Sequence, residues 1–224
     1  MHPMSDDLDG CVVAVDPHLI VLNKPSNLLS VPGRGPENAD CLSARVQARW
    51  PDALVVHRLD MGTSGLMVMA RGIQAQRALS QSFARRHTRK RYEAVVAGSV
   101  NEGLHATDPE GWHTIDLPLT VDWPNRPRSI VSASLGKPSL TRWRVLAQGT
   151  MDTRTRLLLE PVTGRSHQLR VHLQALGHPI LGDSLYATGE ALVAAPRLLL
   201  HATQLTLPHP ATGETLQWSS PAPF

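Results

Sequence analysis

The chain has 224 residues, 42% of them hydrophobic and 18% charged, with a formal net charge of +3; this excludes a disordered chain and leaves length for a sizeable core. Two cysteines, Cys11 and Cys41, exclude a disulfide framework. The acidic start, Met1 to Gly10, does not suit a secretion signal, and no apolar run approaches the roughly 20 residues that cross a bilayer, so a cytoplasmic protein is expected.

In chain order, Val12 to Pro25 reads as two short β segments around an Asp16-Pro17 turn. Ser30 to Pro36 is a loop. Asp40 is placed to cap a helix over 41–50, with Pro51 just beyond it. A strand-like apolar run follows at 65–70, a helix at 73–86 and a strand at 92–97. Residues 99–125 read as loop. Strands are predicted at 128–134, 140–147 and 154–160. A helix is predicted over 167–176, with Ser166 as N-cap and Gly177 as the residue that ends it. A closing β pair is placed at 198–207 and 214–218. Strands outnumber helices and many are sequence neighbours. That favours an α+β fold with a mixed, mainly antiparallel β-sheet and flanking helices. Residues 1–11 are expected to be a tail and 12–224 a single domain.

The net charge conceals a pattern. Residues 44–91 hold 10 basic and 2 acidic residues, and residues 123–170 hold 9 and 2. Residues 92–122, between them, hold 6 acidic and no basic ones. If the two basic blocks share a face, they form a surface for a polyanion.

Three stretches concentrate chemistry. His57-Arg58-Leu59-Asp60 runs into Met61-Gly62-Thr63-Ser64-Gly65 between an apolar run and a strand, the setting of a loop that presents side chains from a rigid scaffold. Asp60 is its natural nucleophile or base, or else it caps the turn by bonding the backbone of Gly62 or Thr63. Lys90-Arg91-Tyr92 leads into a strand, where a Tyr either packs or stacks on a base. Gly164-Arg165-Ser166-His167-Gln168-Leu169-Arg170-Val171-His172 opens a helix. Its two histidines, five apart, do not stack on one helical face, so no metal site is assigned.

Taken together, these stretches resemble the RluA family of pseudouridine synthases. His57 to Asp60 with Thr63-Ser64-Gly65 is similar to the family's catalytic motif, and Lys90-Arg91-Tyr92 to its Lys-x-Tyr motif. Gly164 to His172, with Gly177 to Asp183 and Tyr186, is similar to its third block. Asp122-Trp123-Pro124-Asn125-Arg126-Pro127 and Arg197 to Ala202 resemble the members that act on both 23S rRNA and tRNA stem-loops. The resemblance runs from about Val13 to the C-terminus, with no stretch for the S4-like domain of larger relatives. It departs at Asn27, where the family usually has Gly, and at Ser166, which replaces a commoner Thr. Asn tolerates a left-handed turn, so that loop is expected to survive.

The resemblance implies a pseudouridine synthase fold with a central RNA-binding cleft, needing no cofactor and no metal; a monomer is expected. It implies Asp60 as the catalytic carboxylate, Arg165 as its charge partner, and Tyr92 as the ring under the flipped uracil. Leu169 would wall the uracil pocket, and Arg58 would fill the place the base vacates. His57, Lys90, Arg126, His167 and Arg170 would contact RNA. Two other functions compete on the residues alone. A non-catalytic RNA-binding protein has no use for Asp60, Tyr92 and Arg165 together. A hydrolase using Ser64, His57 and Asp60 would need three triad members within eight residues to converge.

Overall fold

The computed structural model describes residues 8–104, 106–148 and 153–224. Its first elements are β1 (Val12–Val15), β2 (Leu19–Lys24), α1 (Leu42–Arg49), β3 (Ala53–Val55), β4 (Ser64–Arg71), α2 (Gly72–Ala84) and β5 (Arg89–Ala97). There follow β6 (His113–Asp116), β7 (Leu119–Val121), β8 (Ser129–Val131), β9 (Leu140–Gln148) and β10 (Arg154–Pro161). The last are α3 (Gln168–Ala175), α4 (Gly189–Val193), β11 (Leu200–Pro208) and β12 (Thr215–Ser219). Two compact units emerge: the chain up to Lys90 with His201–Pro223, and Arg91–Leu200 with Phe224.

In the first unit, β4 is the central strand. Its residues from Ser64 to Ala70 are all buried, the near-continuous apolar run of a strand covered on both faces. One edge takes β2 in antiparallel register, Lys24 opposite Gly65 through Leu19 opposite Ala70. The other edge is shared. β11 pairs with its start, Ser64 opposite His201 in parallel, and β3 pairs with its end, Met69 opposite Val55. β1 extends β2 and β12 extends β11. Ala75 and Leu79 of α2 close the core over Leu19, Val21, Leu66, Val68, Leu205 and Leu207, with Phe83 at its margin. Burying such side chains stabilises by roughly 1.5–3 kcal/mol each.

The second unit is an antiparallel sheet in the order β5-β10-β9-β6. Tyr92 lies opposite Leu159, and Leu159 opposite Trp143. β7 and β8 form a separate hairpin. Val171 of α3, Leu119 and Tyr186 make a small buried cluster beside it.

Several expectations need correcting. Asp40 does not cap α1. The Cys41 sulfur accepts the Ala44 N–H instead, while Arg45 binds Asp40 and holds its carboxyl below the usual carboxylate range. Ser166 does not cap α3 either: His167 is the N-cap residue, in the left-handed region at φ 55°. The stretch read as loop over 99–125 contains β6 and β7, strands of 4 and 3 residues that are too short to show a period. α4, with 5 residues, escaped for the same reason. Of the expected tail, residues 1–7 lie outside the described residues, and Leu8 and Cys11 are buried.

Candidate active site

The Asp60 loop, residues 56–63, occupies the gap where β3 leaves β4 and β11 has not yet joined it. The gap strands one donor of the ladder, the Val68 N–H, and His57 Nε2 accepts it at 3.1 Å. The His57 ring stacks on Phe83 at 4.6 Å, and Lys90 Nζ sits 5.9 Å from the centre of that ring. Burial, and then the nearby Lys90 charge, push the His57 pKa down to about 3. Burial also lowers that of Lys90. His57 is therefore a neutral acceptor that replaces a strand.

Asp60 is half-buried, and its main-chain carbonyl closes a tight turn with Thr63 N–H at 3.1 Å. Arg58, two residues before it, is exposed. The loop is anchored by the segment from Lys24 to Ser30, whose residues carried no expected role in the site. Lys24 is fully buried and its ammonium donates to the carbonyls of Pro25 (2.8 Å), Leu28 (2.8 Å) and Met61 (3.0 Å). Ser26 donates to Gly62 O at 2.7 Å. Ser30 donates to Leu59 O at 2.7 Å and accepts Leu59 N–H at 3.1 Å. A buried ammonium is tolerated only when its protons are satisfied. The three side chains grip residues 59, 61 and 62 by backbone, on both sides of Asp60. Between them stands Asn27 at φ 63°, the left-handed turn expected of it.

The exit of the loop is equally fixed. Ser64 Oγ and His201 Nδ1 are 2.8 Å apart, and His201 Nε2 meets Ser220 Oγ at 3.2 Å, all buried. Gly65 has φ 109°, and a Cβ there would lie 2.4 Å from Ala202 O. Only glycine fits, which accounts for the Thr-Ser-Gly pattern.

In the second unit, Arg165 is exposed at the start of the turn into α3, with Nε 3.4 Å from Pro138 O. Gln168, 4% exposed, organises that turn with all four hydrogen bonds an amide can make. Its Oε1 accepts Thr163 Oγ1 (2.7 Å) and Arg165 N–H (3.1 Å), and its Nε2 donates to Leu140 O and Thr141 Oγ1 (both 3.0 Å). Gln168 was quoted in the sequence motif without a role. Tyr92 and Leu169 are buried. His167 Nδ1 lies 2.7 Å from the Tyr186 hydroxyl, which accepts Ser129 N–H at 2.7 Å. His172 is fully buried, with Nδ1 on Thr141 Oγ1 and Nε2 on Leu117 O.

Arg170, an expected RNA contact, is buried against a carboxylate. Its Nε and Nη2 each lie 2.7 Å from a carboxylate oxygen of Asp183, and the side chains are 7% and 0% exposed. A buried charge needs such a partner. With its guanidinium 4.9 Å from the centre of the Tyr186 ring, Arg170 supports the tyrosine that orients His167. Arg126 is exposed, at the tip of the β7–β8 hairpin.

A family model described as RNA pseudouridylate synthase matches residues 18–175. The dual-specificity RNA pseudouridine synthase RluA of Escherichia coli (strain K12) is 50% identical over 209 residues, 93% of this chain and 91% of its own length. The protein of the same name from Yersinia pestis is 49% identical over 213 residues, 95% and 99% of the two chains. Among solved structures, Human RNA Pseudouridylate Synthase Domain Containing 1 shares 28% identity with a TM-score of 0.78, covering 100% of this chain and 87% of that one. Among the described residues no helix is long and apolar enough to cross a membrane.

Proposed function

Because this chain belongs to the RNA pseudouridylate synthase family, and so converts uridine to pseudouridine in RNA, we propose that Asp60 is its catalytic carboxylate. The isomerisation breaks the N1–C1′ bond, turns the uracil and forms the C5–C1′ bond; C5 loses a proton and N1 gains one. An ionised Asp60 acts on the ribose, as a nucleophile at C1′ or as a base at C2′. When RNA is bound, Arg165 supplies the positive charge that keeps it ionised. Tyr92 stacks under the uracil and takes part in removing the C5 proton. Leu169 forms the apolar wall, and Arg58 fills the stack when the base leaves it. Lys90, Arg126 and His167 contact the RNA.

The observation that carries this assignment is the tether on the loop. Lys24, Ser26 and Ser30 immobilise the backbone around one carboxylate, which is the pre-organisation a reacting group needs. A non-catalytic RNA-binding protein would not need it. The substrates are one uridine in a 23S rRNA hairpin and one in the tRNA anticodon stem-loop, following the dual specificity in the relatives' name, and the work is done in the cytoplasm.

The test is pseudouridine formation on both stem-loops. Asp60→Asn should lose at least about 10⁴-fold in kcat with RNA affinity retained, the scale set by losing a covalent or proton-transfer group. Arg165→Met should bind RNA and lose most turnover, and Tyr92→Phe should bind and stall before product release. A 5-fluorouridine stem-loop should give a stable adduct that depends on Asp60. Wild-type turnover by Asp60→Asn refutes the assignment.

A further inference from the structure

The β7–β8 hairpin carries a feature that the reaction above does not use. Trp123 at its tip is 67% exposed, while the other four tryptophans are buried or half-buried. The tip is closed by its own backbone: Asp122 N–H meets Arg128 O at 2.9 Å, and Arg128 N–H meets Asn125 O at 3.1 Å. Asn125 Nδ2 donates to Asp122 Oδ2 at 2.9 Å. On this stiff turn, Arg126 folds back so that its guanidinium lies 4.7 Å from the centre of the indole and its Nε donates to Trp123 O at 3.2 Å. Among the described residues no other ring or cation stacks on that indole, and no carboxylate pairs with Arg126.

An exposed tryptophan costs solvation, and the hairpin also leaves Val121 (40%) and Ile130 (42%) exposed. An indole held this far out in solvent marks a contact with a partner. The charge says which kind. Residues 123–137 include Arg126, Arg128 and Lys137 and no acidic residue. A ring backed by an unneutralised guanidinium suits a nucleobase, whose π-face meets the indole while its phosphate meets the cation. A protein partner would need carboxylates to match and would leave the stacked pair without purpose.

We propose that Trp123, backed by Arg126, is a stacking platform for an unpaired base of the RNA substrate other than the target uridine. This rests on the reading that the substrate is a stem-loop with unstacked nucleotides. It makes Trp123 a specificity residue that selects RNAs carrying an unpaired base.

The experiment compares Trp123→Ala, Trp123→Phe and Arg126→Ala on an anticodon stem-loop and on the same RNA with abasic loop positions flanking the target. Trp123→Ala should raise KM and Kd by roughly 10- to 100-fold on the intact loop, the range of one lost base stack, with the loss in KM rather than kcat. Trp123→Phe should restore binding to within about threefold of wild type, since a smaller ring still stacks. On the abasic RNA the wild type should itself be weakened and Trp123→Ala should add nothing. Arg126→Ala should lower the slope of log Kd against log salt by about one, and Trp123→Ala should leave that slope unchanged. Wild-type KM for Trp123→Ala, or an undiminished defect on abasic RNA, overturns the platform. So does loss of self-association in Trp123→Ala with RNA binding intact. If the wild type converts neither stem-loop, the substrate reading fails, and Kd for an unstructured single strand still tests Trp123.

Discussion

Lys24 and His57 hold backbone groups with their side chains. Lys24→Met should cost about 3 kcal/mol or more, because three part-buried carbonyls lose a charged donor and hydrogen bonds to charged groups are worth about 1.5–3 kcal/mol each. Chemical denaturation measures it, and turnover should fall by more than the unfolded fraction explains, since Met61 O is released beside Asp60. His57 sets an acid limit. Its folded pKa of about 3 lies below the ordinary 6.5, so the unfolded chain takes up a proton first as pH falls. The stability it contributes is present above pH 6.5 and is lost towards pH 3, at up to about 1.4 kcal/mol per pH unit. His57→Gln keeps an acceptor for Val68 N–H and does not titrate. Thermal unfolding from pH 7.5 to 4.5 should show a shallower acid loss for His57→Gln, though not a flat line, because burial also depresses His172.

Two elements are fixed by single residues whose function is geometric. Gly65→Ala would force a Cβ within 2.4 Å of Ala202 O at φ 109°. It should cost at least about 3 kcal/mol, through strain and displacement of β11 from β4. Gln168→Ala removes all four bonds that tie the Arg165 turn to β9, and should lose about 2–3 kcal/mol together with turnover. A thermal-shift comparison with Gln168→Glu, which keeps the acceptor and loses the donor, separates the two halves of the amide. The long elements were legible in the sequence: β4 as an apolar run, α2 by its Ala75–Leu79–Phe83 spacing, and α3 with its stop at Gly177. The Asp60 loop was legible by motif. What supports the loop was not, because Lys24, Ser26 and Ser30 act through carbonyls 29 to 37 residues away, and nothing local marks a lysine as buried. The burial of Arg170 was hidden for a related reason: its partner, Asp183, lies beyond the helix.

Across the molecule, the fold spends much of the charge that looked like an RNA surface. Arg142 pairs with Asp108, Glu110 and Glu160, Arg156 with Glu93, and Arg71 with Asp52. The acidic stretch thus neutralises part of the second basic block. Exposed cations with no carboxylate partner among the described residues include Arg58, Arg77, Arg85, Arg86, Arg126 and Arg165. Replacing Arg85 and Arg86 with alanine should lower the salt slope of RNA binding by roughly 1–2, whereas Arg142→Ala should leave it unchanged and reduce stability instead. The tether on the Asp60 loop also sets how freely the protein can diversify. Lys24, Ser26 and Ser30 hold oxygens that every amino acid possesses, so the side chains at 58 and 61, exposed Arg58 and 52% exposed Met61, take no part in holding the loop. A library randomised at position 61 should keep the Asp60 carboxylate in place while changing what surrounds it, making the loop a starting point for enzymes retargeted to new uridines.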